Sequence, residues 1–140
     1  SADCHMAARA MSGQFDAIIA DASQRYGIPL NLLQAVIAHE SSGNPLAIGD
    51  GGHALGLMQV HPDAATDVGK SWYLLRSASG NKDTNTAAKR GIDSGAAYLA
   101  KMLKQFKEPA WALAGFNQGP TVIGRAKAYA DAVASLIPKT

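Results

Sequence analysis

Ala88, Ile92, Gly95, Leu99, Met102, Leu103 and Phe106 recur every three or four residues along one unbroken stretch. That period puts them on one face of an α-helix running from about Asn85 to Phe106. Such a helix is about 30 Å long, the width of a small domain, so the remaining elements must be laid against it. Gly91 and Gly95 cost helix stability, roughly 1 kcal/mol each. Their presence on this face predicts that another backbone packs closely there. Glu108-Pro109 ends the run.

The flanking segments carry the same period. Phe15, Ile18, Ile19, Ala22 and Tyr26 predict a helix that Ser12 could cap and Gly27 ends. Pro29 suits the first turn of a second helix, in which Leu33, Val36, Ile37 and Glu40 share a stripe. Asn44 to Ala54 is glycine-rich and predicts a loop or small hairpin. Pro62 can open another helix. Trp72 to Lys82 gives no clear element, and Ser, Gly and Asn mark a loop near its end. Trp111 to Ala114 predicts a short helical turn, "GFNQGP" (115–120) a polar loop, and Val122 to Ile137 a final helix with Tyr129, Val133 and Leu136 as core contacts. No strand alternation of any length competes, so the expected fold is mostly α. Residues 1–12 read as a loose leader and 13–140 as a single domain.

Composition narrows the function classes. Hydrophobic residues make up 47% of the 140 and charged residues 17%, which supports a real core. No apolar run approaches the roughly 20 residues of a membrane span. The net charge of +2 is mild, aromatics are 6%, and no basic stripe stands out, so nucleic-acid binding is not expected. Lys101, Lys104 and Lys107 read as a solvated helix face. The single cysteine, Cys4, excludes an internal disulfide. The short polar start does not read as an export signal.

The chemistry turns on Glu40. "HESSG" (39–43) begins like a zinc-protease helix, but the fifth position is Gly43 rather than the second histidine such a site needs. His5, His53 and His61 do not repair the spacing, and no metal or cofactor is expected. No Gly-x-Ser-x-Gly elbow is present, and "GDGGHALG" lacks the Lys-Ser/Thr of a phosphate loop. What remains is a carboxylic acid on an apolar stripe, where desolvation would hold its proton. Glycoside cleavage uses such an acid. Asp50, Asp63 and Asp67 are the downstream carboxylates available as a partner.

Four segments in order, "VIAHESSGNPLA" (36–47), "ALGLMQVHP" (54–62), "GIDSGAAYLAKMLKQF" (91–106) and "ALAGFNQGP" (112–120), resemble the catalytic domain of soluble lytic transglycosylases, relatives of goose-type lysozyme. The resemblance covers about Phe15 to Leu136. It implies a lysozyme-like helical fold with a groove for a peptidoglycan strand, no cofactor, a monomer, and a periplasmic or secreted setting in wall turnover, a secretion or conjugation machine, or a phage particle. It casts Glu40 as the lone acid/base that cuts between N-acetylmuramic acid and N-acetylglucosamine and leaves a 1,6-anhydro end. It places Ser41, Met58, Gln59, Phe116, Asn117 and Tyr129 along the substrate groove. Two departures stand out. Phe116 replaces the tyrosine of the family's Tyr-Asn-x-Gly, so that hydroxyl is missing. The loop "IGDGGHA" (48–54) carries Asp50 and His53, which makes Asp50 a candidate second carboxylate and keeps a hydrolytic muramidase open as the alternative. A non-catalytic peptidoglycan-binding module is the other.

Overall fold

The computed structural model of the chain describes residues 13–138. Among them the chain is mostly helical, with one two-stranded hairpin. By internal contacts it forms two compact units, Ser1–Tyr98 and Leu99–Thr140. The predicted leader and the Ser12 cap lie outside the described residues, as does Cys4.

The first unit begins with α1 (Asp16–Tyr26) and α2 (Leu30–Ser41), which pack together through Ile19, Ala22, Leu33 and Ile37, all essentially inaccessible. Asp16 accepts the Gly13 N–H at 2.8 Å, and Gly27 turns left-handed to close α1. Pro29 sits just before α2 rather than inside it. The glycine-rich stretch forms a hairpin of β1 (Ile48–Gly49) and β2 (Ala54–Leu55), antiparallel, with Ile48 opposite Leu55 and Gly49 opposite Ala54. Its tip is a single 3₁₀ turn, Asp50–Gly52. A bridge from Leu55 to Val60 then folds the next segment back.

Short α3 (Pro62–Asp67) follows, and then α4 (Trp72–Gly80), a helix where the residue pattern predicts no clear element. Ser71 caps α4 by accepting the Leu74 N–H. Trp72 and Leu75 are buried, and the Trp72 indole donates to the Val60 carbonyl at 2.9 Å. α5 (Thr84–Phe106) is the long helix expected. Its glycines do admit close neighbours. A Cβ on Gly95 would stand 2.5 Å from both Cβ and Sδ of Met58.

The second unit holds the end of α5 with α6 (Pro109–Gln118) and α7 (Pro120–Ser135). α6 is a full helix where a turn and a loop were expected. Its Gly115 is a packing glycine rather than a breaker, with Phe106 and Met102 against it. The expected core contacts of the last helix are a correction. Tyr129, Val133 and Leu136 are exposed, and Ile123 is the buried residue of α7. Their period is helical, but the stripe faces solvent.

Candidate active site

Glu40 occupies the last turn of α2, following the buried run Val36, Ile37 and Ala38. The helix ends immediately after it, because Ser42 takes a left-handed conformation (φ 52°) and returns its N–H to the Ala38 carbonyl. The carboxyl is partly buried, and burial pushes its proton affinity above the ordinary glutamate value. His39 and His61 pull weakly the other way. The negative end of the helix dipole also disfavours the anion at this position. Ser41 is spent locally. Its hydroxyl donates to the Ile37 carbonyl at 3.1 Å and accepts the Gly43 N–H at 3.2 Å.

Gln59 holds the hairpin to the loop before it. Its backbone is left-handed (φ 49°), and its amide nitrogen donates to the carbonyls of Ala47 and Gly56, both at 3.1 Å. Both amide hydrogens are therefore used on the main chain. The other amide atom, Oε1, lies against the space a Cβ on Gly49 would take, so a side chain there would push the Gln59 amide from its place. Met58 is fully buried against Gly95, which is the core-packing role that its sequence position allows beside a place in the cleft wall. Asp50, on the 3₁₀ turn, is not a free carboxylate: its Oδ2 lies 2.8 Å from Nε2 of His61. The same turn holds His53, whose Nδ1 is 3.2 Å from the Asp50 carbonyl.

The family model described as "Transglycosylase SLT domain" matches residues 17–136. The chain belongs to the transglycosylase SLT family. As an SLT domain it is similar to curated proteins named membrane-bound lytic murein transglycosylase C from Serratia proteamaculans, at 38% identity over 59% of this chain and 23% of that protein. It is also similar to lytic murein transglycosylase E from Buchnera aphidicola, at 33% identity over 64% of this chain and 39% of that one. The chain thus spans about a quarter to two-fifths of the length of these relatives. No solved structure matches it. The helical, lysozyme-like fold class read from the sequence agrees with this membership.

In this SLT domain the first unit contains Glu40, Ser41, Asp50, Met58, Gln59 and His61, and the second contains Phe116, Asn117 and Tyr129. Phe116 and Asn117 fall in the last turn of α6 rather than in a loop, with Phe116 partly buried and Asn117 exposed. Tyr129 stands out on α7, 74% exposed. A cavity of about 550 Å³, lined by Asp21, Arg25, Lys89 and Arg90 among others, includes none of the site residues. Among the described residues no three potential metal ligands gather, and no helix is long and apolar enough to cross a membrane. Sequence reasoning missed the contact between His61 and Asp50. Its signal was weak: one histidine two residues beyond Gln59, whose partner comes from a different loop.

Proposed function

We propose that this domain is a peptidoglycan lytic transglycosylase with Glu40 as its single acid/base. The observation that carries the reading is a partly buried carboxyl whose proton is held by burial, at the end of an apolar helix face, in a chain of the SLT family. A carboxyl held neutral can donate to the glycosidic oxygen between N-acetylmuramic acid and N-acetylglucosamine. The C1–O bond breaks, the leaving sugar keeps that proton as a hydroxyl, and the substrate's own acetamido oxygen steadies the cationic C1. Glu40, now a carboxylate, takes the proton of the 6-hydroxyl as O6 bonds to C1. The muramic acid ends as a 1,6-anhydro sugar and Glu40 is again protonated. No water is consumed and no cofactor is required.

Gln59 supports this reading as the strut that fixes the hairpin, and Ser41 as the residue that shapes the helix end behind Glu40. Phe116, Asn117 and Tyr129 remain assigned to the groove by resemblance to the family. The substrate implies a wall-facing compartment, periplasmic or external, and a role in wall turnover or in opening the wall for a secretion, conjugation or phage assembly.

The test is mass spectrometry of soluble fragments from purified peptidoglycan, wild type beside Glu40→Gln. Anhydro-muropeptides from wild type alone are expected. Products heavier by one water identify a hydrolase. Binding of the glycan without soluble product from either protein identifies a binding module.

A further inference from the structure

Ile18 has the core spacing of α1, yet the structure leaves it half-buried while Phe15, Ile19 and Ala22 take the core. Ile18 lines instead the cavity of about 550 Å³ between α1 and α5, a size that suits a small ligand. Asp21 and Arg25 continue the α1 wall, and Lys89, Arg90 and Asp93 stand opposite, at the spacing of one α5 face. Both walls belong to the first unit.

The charges of this lining divide unevenly. Arg25 reaches both acids, 2.8 Å from Asp21 and 3.1 Å from Asp93. Asp93 also accepts from the Tyr26 hydroxyl and lies 2.8 Å from Lys70. Each carboxylate of the lining is therefore already paired, and the Arg25 bridge ties the two walls together. Lys89 and Arg90 are exposed, and among the described residues neither has an ion-pair partner. Asp83 lies within the field of Lys89 but is engaged in capping α5, where it accepts the Thr86 N–H at 3.2 Å. Two cations beside an aliphatic wall are thus left for a guest.

The sugars of a peptidoglycan strand carry no charge of their own. Its free carboxylates sit on the peptide stems, together with the methyl groups of alanine. A guanidinium and an ammonium next to Ile18 match that pairing of anion and methyl. A phosphate polymer of the wall would satisfy the cations and leave Ile18 unused. We propose that this cavity, lined by none of the residues grouped around Glu40, is a second binding site that takes a peptide stem: Lys89 and Arg90 receive its carboxylates, and Ala17 and Ile18 its alanine methyls. The choice of guest rests on the reading of peptidoglycan as the substrate. Because Arg25 fixes the walls before binding, little ordering is lost when a stem enters. A stem held here keeps the domain on the wall while successive bonds are cut.

The probe is the free tetrapeptide stem, L-alanyl-γ-D-glutamyl-meso-diaminopimelyl-D-alanine, titrated into the whole chain and followed by ¹⁵N NMR. It has no glycosidic bond, so binding is read apart from cleavage. The peptide should shift the amides of Ala17, Ile18, Lys89 and Arg90 saturably. Joint replacement Lys89→Gln with Arg90→Gln should weaken binding about tenfold at an unchanged urea midpoint, and methyl esters on the peptide carboxylates should do the same. No saturable shift, shifts confined to other residues, or equal binding by the double variant overturns the proposal. Poly(glycerol phosphate) binding the same residues at least as tightly also overturns it, by making a phosphate polymer the guest. The same wild-type preparation is tested in parallel on purified peptidoglycan. Anhydro-muropeptides without stem binding leave the enzyme reading standing and remove this site. Stem binding without soluble products removes the enzyme reading and leaves the site in place.

Discussion

Replacing Gly95 by alanine tests how tightly α5 is built against the segment that carries the site. The added methyl would lie 2.5 Å from Met58 Cβ, 2.5 Å from its Sδ and 3.0 Å from its Cγ. Ordinary carbon contacts need about 3.5–4.0 Å. Swinging the Met58 side chain away does not solve the problem, because its Cβ is fixed to the backbone. Either α5 or the Leu57–Gln59 segment must move by about an ångström. Overpacking of a closed core costs about 1–3 kcal/mol, while Gly→Ala in a helix returns about 1 kcal/mol. The net expectation is a loss of up to about 2 kcal/mol, read as a lower urea midpoint at unchanged slope. Activity should fall further than stability requires, because the displaced segment carries Gln59. A Gly95→Ala protein more stable than wild type would refute the reasoning, since that is how an uncrowded helical glycine behaves.

Gly124 in α7 supplies that contrast: nothing lies within 4 Å of its missing Cβ, so Gly124→Ala should raise stability by about 0.5–1 kcal/mol in the same urea assay. Gly49→Ala should cut peptidoglycan clearance more than it lowers the melting temperature, because the methyl strikes Gln59 Oε1 and unseats its two main-chain bonds. Asp93 accepts from the Tyr26 hydroxyl, from Lys70 at 2.8 Å and from Arg25 at 3.1 Å. Its burial, which opposes ionisation, is outweighed by these donors, and its proton affinity is lowered. Asp93→Ala should therefore cost about 1–2 kcal/mol at neutral pH. A depressed carboxylate stabilises above its unfolded value and loses that contribution as pH falls through its folded one, so the gap from wild type should narrow below about pH 4. Glu40 has the opposite sign. Its folded state prefers the proton, so it weakens the fold as pH rises, and Glu40→Gln should melt higher than wild type at pH 7 but not at pH 4.

Much of this was legible before any coordinates. The period of α5 and the place of Glu40 on the α2 stripe follow from spacing alone, and both elements lie where spacing put them. What failed were judgements that depend on what faces an element. Glycine was read as a breaker at Gly115, yet Phe106 and Met102 need that gap, so α6 continues through Phe116 and Asn117. Trp72 to Lys82 carries no clear period, and Ser, Gly and Asn near its end suggest a loop, but Ser71 caps a helix there and Ser79 is buried in it. Tyr129, Val133 and Leu136 have core spacing and face water, since a period specifies a stripe and not its partner. The Asp50–His61 pair joins two turns whose meeting depends on hairpin register, which no local pattern encodes.

Three non-glycine residues between Glu40 and His61 in the chain share an unfavourable backbone: Ser42, Asp50 and Gln59 all have φ near +50°. A side chain in that region costs on the order of 1 kcal/mol against glycine. An engineer ranking substitutions by thermostability alone would be drawn to glycine at all three. The resulting protein would have relaxed turns, yet would have lost the contact that holds His61 and the strut at Gln59, which cancels the gain. Hardening this domain for use therefore belongs elsewhere, at places such as Gly124, where relieving the backbone takes nothing from the chemistry.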